Sequence, residues 1–406
     1  MKKFLVMLFA VLVVFTLVGC QDDSEGVTEL QMLWWSDGTE GTVMQRLVDY
    51  YEDETGITIE LVPIAYNDYE ARLATLVSGG QPPALARVTE GHLNNFKGQI
   101  LPLDDVYDTS GFTNLFFNAD AEVISLPMDI TANGLFVNTD LLDLYDVNYP
   151  VLGDPVWTWA EFETEMLKLK GQAGVTAPGL FDHQGHRFMP LLYQNGVKIW
   201  ETPYTASNLK SAAAVSVVQM MQDFYDEGFL PTATYLTKNS ASLFRDGTYG
   251  FHISGNWNVS GYQTLPFNWA VVPMPKMSTR ATILGGKSLA AFEGSGAEQE
   301  AKDFIAWMAM GSHHDQFTGG VPYLSPRLGA TVDYKEFAPQ YAVFLDEIAN
   351  TDPVSVQDWL NQVMIPGMYP LINQFVQDIA DPANTKTALQ LLTDLETALK
   401  AAAPTS

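Results

Sequence analysis

The sequence predicts an α/β protein of two domains, and three observations carry that expectation. Strand and helix patterns alternate from Leu30 to Gly80, amphipathic helical patterns fill the middle and the end, and the chain of 406 residues is longer than one core usually supports. Beyond about 250–300 residues, chains tend to split into separate cores.

Leu30–Trp35 (LQMLWW) is a bulky apolar run that suits a strand. A Ser36, Asp37, Gly38 turn follows, and Thr42–Glu54 then sets Val43, Leu47 and Tyr50 at helical spacing. Ile57, Ile59 and Leu61 alternate as a second strand, after which Tyr69–Val77 reads as a helix closed by Gly79 and Gly80. Strand, helix, strand, helix implies a parallel sheet with helices on both faces. Further on, Thr158 starts TWAEFETEMLKLK with Glu161 three residues later, a capping box in which each side chain satisfies an orphan backbone N–H. Ser207–Glu227 is a long helical pattern, and Tyr249–Ser254, Trp269–Val272 and Leu289–Phe292 read as strands. Glu298–Met310 is a helix with Ala301, Phe304, Ile305 and Met308 on one face and Glu298 spaced to pair with Lys302. Thr385–Ala402 is amphipathic, with Leu389, Leu392, Leu395 and Leu399 forming a stripe expected in the core. No internal repeat or long linker interrupts these elements, so the chain is expected to pass between its domains more than once.

The N-terminus has a different character. Lys2 and Lys3 precede an uncharged, mostly apolar run from Phe4 to Gly19, which is shorter than the roughly 20 apolar residues of a membrane span and has the order of a secretion signal. Leu17, Val18, Gly19 and Cys20 resemble the bacterial lipobox, in which the cysteine is lipidated and becomes the mature N-terminus. Cys20 is the sole cysteine of the sequence. No internal disulfide is therefore expected, and the thiol is expected to serve as an anchor. Gln21–Gly26 is short and polar, a tether between lipid and fold. Loss of residues 1–19 would leave 387 of the 406 residues and remove two lysines and no acid, taking the formal charge from −27 to −29. Such a surface repels nucleic acid and anionic head groups. With 47% hydrophobic and 12% aromatic residues the chain is nevertheless expected to fold.

The ordered succession LWWSDGTEG, NDYEARLATLVSGGQPPAL, LPMDITANGLFVNTDLL, WTWAEF, LFRDGTYGFHISGNWNV, WAVVPMPK, LGGKSLAAF and VPYLSPR resembles family 1 extracellular solute-binding proteins, the carbohydrate receptors of ABC importers. The similarity covers nearly the whole mature chain. Where many members have Pro then Asp, this chain has Pro83 then Ala84. The resemblance implies a periplasmic-binding-protein-like type II fold, two α/β lobes with an interlobe ligand cleft. By similarity, residues 27–128 and 276–325 would form lobe 1 and residues 133–268 and 328–406 lobe 2, with hinge segments near 127–133, 271–275 and 325–327. It further implies a monomer outside the cytoplasm that captures a sugar or oligosaccharide, delivers it to the permease subunits of an ABC transporter, and needs no cofactor.

A sugar offers hydroxyls at its edge and CH groups on its faces, so a site needs flat aromatics and planar polar groups. The nine tryptophans and seventeen tyrosines supply candidates, several in loops after strands, where open α/β sheets bind ligands. Trp35 ends the first strand beside the turn that carries Asp37, and Trp257 follows Tyr249–Ser254; Trp34 suits core or site equally. By resemblance, Tyr69 in NDYE, Glu90 in VTEG, Thr131 in DITANG, Asn256 in SGNW, Gly286 in LGGK and Tyr323 in VPYL match positions that often touch ligand. Asp129, in the same segment as Thr131, would accept from hydroxyls, and Tyr369 completes the set.

Three other readings stay open. A glycan-degrading enzyme needs two carboxylates across the scissile bond, and 48 acidic residues can supply a pair. Yet no GxSxG, HExxH or P-loop arrangement is present, and the resemblance supplies no nucleophile. Asp182, His183 and His186, and again His313, His314 and Asp315, have ligand-like spacing; surface turns or helix ends account for them, and no metal is expected. A receptor for glycerol 3-phosphate or a glycerophosphodiester would want arginine or a helix N-terminus at the phosphate, and Arg187, Lys287 and Arg327 are available.

Overall fold

The computed structural model describes residues 27–403 except 37, 119, 203, 233–239, 322, 361–364 and 366. The expected signal segment, Cys20, the tether and Asp37 lie outside the described residues.

The described strands are β1 (Glu29–Trp34), β2 (Thr58–Pro63), β3 (Leu85–Thr89), β4 (Leu126–Pro127), β5 (Asn133–Asn138), β6 (Ala177–Phe181), β7 (Tyr249–Gly255), β8 (Trp269–Val272) and β9 (Lys287–Ala291). They form two sheets, in the orders β2-β1-β3-β9-β4 and β6-β7-β5-β8. The expected parallel start is present: β1 pairs in parallel with both β2 and β3, and β9 returns antiparallel to β3. Period-two alternation explains how this sheet buries both faces. Leu30, Met32 and Trp34 enter one apolar cluster while Leu33 and Trp35 enter the cluster on the opposite face. In the second sheet Leu135 and Val137 face one core and Phe136 the other. β6 contains Pro178 and Gly179, residues that weaken a strand pattern, and it lies at the sheet edge, where the missing N–H of proline is tolerated.

Helix ends follow local chemistry. The Thr158 capping box forms, with Thr158 N donating to Glu161 Oε2 at 2.7 Å and Glu161 N to Thr158 Oγ1 at 3.2 Å. The pattern from Ser207 becomes a helix only at Ala212, where the Ser211 hydroxyl accepts the Ala214 amide. Three expectations fail. Tyr50 is 43% exposed because Tyr51, four residues after Leu47, takes the buried position. Leu389 is 48% exposed, and Ala388 and Leu391 carry the buried stripe in its place. Glu298 accepts the Gly294 amide at 2.8 Å, while Lys302 lies 3.6 Å from Asp105.

Three segments run side by side between the sheets. Ile130 N donates to Leu324 O at 2.8 Å, and Thr131 and Gly285 exchange both backbone hydrogen bonds. Residues 276–283, expected with the first sheet, pack instead with the second: Ala281 and Ile283 join its core, and Lys276 N donates to Trp157 O at 2.8 Å. The chain therefore leaves the second sheet at Leu284–Lys287, well past Pro275.

Candidate functional site

A cavity of about 320 Å³ opens between the two sheets, at the carboxyl ends of β1, β3, β6 and β7. That is where open α/β sheets leave a crevice.

One wall belongs to the first sheet. Trp35 follows β1 and lines the cavity. Its ring centroid lies 4.6 Å from Tyr69, 5.5 Å from Tyr66 and 5.8 Å from His92. Tyr66 reaches the cavity, but Tyr69, expected to touch ligand, is fully buried behind Trp35, with its hydroxyl donating to Leu33 O at 3.1 Å. Glu90 opens the short helix Glu90–Phe96, where Thr89 and His92 form the capping box. Its Oε1 accepts the Gly286 amide at 2.6 Å, and burial pushes the carboxyl up to about 7 against the pull of the Gly286 amide and Lys287. Gly286 is required by space: a Cβ there would stand 2.2 Å from Asp129 O. Asp129, expected in the wall, instead sits behind it, accepting the Lys287 amide at 3.0 Å and facing Lys287 Nζ at 3.5 Å.

The opposite wall is built around the loop after β6. Asp182 Oδ2 accepts from Arg187 Nε and Nη2 at 3.0 and 2.9 Å and from Ser254 Oγ at 2.8 Å. Its Oδ1 lies 3.3 Å from His252 Nε2, which also meets Ser240 Oγ at 2.9 Å. Burial opposes ionisation of Asp182, but Arg187, His252 and Ser254 together outweigh it and hold the carboxyl well below the usual range. The Arg187 guanidinium stacks 4.3 Å from the Trp257 ring centroid. Trp257 can lie there because residue 255 is glycine: a Cβ would meet the ring at 1.8 Å. Burial, then Arg187, drives the His186 pKa far down, so the imidazole is neutral and can share a hydrogen bond with Tyr369.

Of the candidates named from sequence, Trp35, Glu90, Thr131, Trp257 and Gly286 stand in the wall. The others do not. Asn256 ties the crossing segments, bonding Ile130 O at 3.1 Å and Ala132 N at 3.0 Å. Tyr323 is buried beneath Lys287, whose Nζ is 4.9 Å from its ring. Tyr369 sits behind Gln184 and His186. Asp182, His183 and His186 were expected on surface turns or helix ends; His186 does stand at the start of the helix Gly185–Gln194, and all three line the cavity with Gln184 and Arg187. A run of charged and imidazole side chains directly after a strand was the available clue. His313 and His314 are also buried, and Arg327 pairs with Asp315 away from the cavity. Among the described residues no group of three or more His, Cys, Asp or Glu is arranged to hold a metal, and no helix is long and apolar enough to cross a membrane.

An ABC substrate-binding protein of Listeria monocytogenes in complex with cycloalternan superimposes with a TM-score of 0.77 at 18% identity, over 93% of this chain and 99% of that one. The GacH receptor of Streptomyces glaucescens, described with acarbose, gives 0.76 at 18% over 93% and 99%. UgpB of Mycobacterium tuberculosis with glycerophosphocholine gives 0.77 at 17% over 93% and 98%. These likenesses show the fold, that of the type II periplasmic binding proteins. No curated protein matches the chain in sequence. Residues 46–339 match the model of the family described as bacterial extracellular solute-binding protein. Matched over more than half its length, the chain belongs to the bacterial extracellular solute-binding proteins.

Proposed function

We propose that this protein captures a sugar or oligosaccharide in the cavity between its sheets and delivers it, chemically unchanged, to the permease of an ABC importer. The observation that carries this reading is the pairing of two tryptophans, Trp35 and Trp257, with a charge-balanced set of hydrogen-bonding groups in one wall-to-wall cavity. Flat rings take the CH faces of a sugar, and Glu90, Thr131, Gln184 and Arg187 offer donors and acceptors to its edge. Micromolar binding needs about −8 kcal/mol; stacked rings contribute roughly 0.5–1.5 kcal/mol each and hydrogen bonds about 1 kcal/mol net apiece. The likeness to receptors described with cycloalternan and acarbose supports the same ligand class.

Charge matching weighs against the glycerophosphate reading, which the likeness to UgpB supports. Arg187 is paired with Asp182 at 2.9 Å and Lys287 faces Asp129 at 3.5 Å, while Glu90 adds a further acid. A phosphate would bring negative charge into a cleft whose cations are already matched. Catalysis is not part of the proposal. Turnover of oligosaccharides abolished by replacing one wall carboxylate would overturn the receptor reading. The two sheets act as lobes that close about the crossing segments, and the chain works as a monomer held outside the cell by lipid on Cys20. Cys20→Ser is expected to leave the protein soluble or unprocessed; membrane retention of a processed Cys20→Ser chain would count against the anchor. Isothermal titration with a maltooligosaccharide series and with glycerol 3-phosphate tests the ligand class: sugar binding with no response to glycerol 3-phosphate is expected, and the reverse sinks the proposal.

A further inference from the structure

A charged side chain in the middle of a five-stranded sheet calls for a physical reason. Arg87 lies in β3 between Ala86 and Val88 and is 1% exposed. Its guanidinium sits 4.9 Å from the ring centroid of Trp34 and 4.5 Å from that of Trp35. Nη1 donates to the carbonyl oxygen of Trp35 and to Glu40 Oε1, the latter at 3.1 Å. Glu40, the first residue of the helix Glu40–Thr55, is equally buried, and its Oε2 accepts the Gly38 amide at 2.8 Å. One ion pair thus grips the backbone at Trp35 and at Gly38, on either side of the turn that leaves the cavity wall.

Stability does not explain this pair. Removing two charges from water costs about as much as their attraction returns, so an apolar pair of similar shape would serve a core as well or better. Direction is what the ion pair adds. A guanidinium stacks by its face and donates in its plane, and a carboxylate fixes an amide, whereas methyl groups constrain neither.

We propose that Arg87 and Glu40 are positioning residues for ligand capture: without touching ligand, they hold the Trp35 ring and the Gly38 backbone in the geometry the cavity requires. The inference rests on the cavity being the ligand site. Its benefit is preorganisation, since a platform already fixed loses little freedom when ligand arrives.

The test compares Arg87→Met, the double variant Arg87→Met/Glu40→Leu, and Arg87→Lys by thermal melting, amide exchange at Gly38, and titration with maltotetraose. Arg87→Met alone strands a buried carboxylate and is expected to lower Tm markedly. The double variant is expected to recover the wild-type Tm, while Gly38 exchanges at least tenfold faster and maltotetraose binds at least tenfold more weakly. Arg87→Lys keeps the charge but loses the planar fork, and is expected to show the same faster exchange and weaker binding. Wild-type exchange and affinity in either the double variant or Arg87→Lys would overturn the proposal. So would a double variant that unfolds or melts as low as Arg87→Met, because the pair would then be structural. Titration of the wild type is the separate control: a protein that does not bind maltotetraose weakens the sugar reading, while the exchange and melting results still decide the positioning role.

Discussion

The two walls of the cavity are both buried, but different forces build them. On the first-sheet side, the Trp35 ring is flanked by other rings, Tyr69 at 4.6 Å, Tyr66 at 5.5 Å and His92 at 5.8 Å, with the Arg87–Glu40 pair beneath it. On the second-sheet side, Arg187, His252 and Ser254 converge on the single carboxylate of Asp182. Ring packing is weakly directional and shares its load among many contacts. A buried charge network concentrates it on one residue, whose loss leaves its partners unmatched. Substitution among the rings of the first wall should therefore bend it where loss of Asp182 breaks the second.

Asp182→Asn is expected to have the largest effect. It keeps the shape but strands Arg187 and His252, at a cost of about 3 kcal/mol, the low end for a broken buried pair because Asp182 and Arg187 both line the cavity. Urea unfolding measures it, and a loss below about 1 kcal/mol would show that the network is not the support of that wall.

Glu90→Gln comes next and acts through pH. The folded carboxyl is pushed up to about 7 from its ordinary 4.5, so between those values the folded chain holds a proton that the unfolded chain releases. Stability contributed by this group is accordingly greatest below pH 4.5, falls as pH rises through the window, and is level above 7. Glu90→Gln removes that fall, worth roughly 3 kcal/mol at most. Melting curves from pH 4 to 8 check it; identical slopes for both proteins would refute the assignment.

Trp257→Ala is expected to weaken sugar binding about tenfold, near 1.4 kcal/mol, while Tm of the ligand-free protein hardly changes. An equal loss of stability would mean that the ring serves the core. Tyr69→Phe, in the ring-packed wall, is expected to cost about 1 kcal/mol by leaving Leu33 O without its donor, with sugar affinity preserved. A large affinity loss there would erase the contrast between the walls.

How far the sequence reached depended on the force involved. Apolar periodicity foretold β1, β2, β7, β8 and β9 and several helices, since burial is read from spacing alone. The same reasoning placed Trp35 and Trp257 after their strands, where the cavity opens. It mistook Tyr50 and Leu389 for core because one residue along a helix turns the side chain by about 100°, and only packing chooses between neighbours. Family resemblance, and for Asp129 its place beside Thr131, suggested Tyr69, Asp129, Asn256 and Tyr323 for the ligand, although each turns toward the protein to satisfy a backbone group or fill a core.

Taken by itself, the sequence determined the alternation of strand and helix, the capping box at Thr158, and the strand ends at which Trp35 and Trp257 emerge. Those are local matters of propensity, periodicity and turn chemistry. Tertiary structure alone decided that Asp182 meets Ser254 and His252, that Glu90 meets Gly286 across 196 positions of chain, and that Arg87 is sealed beneath two indoles. Such contacts are directional and join residues far apart in sequence, so they exist only once the sheets have brought the chain together.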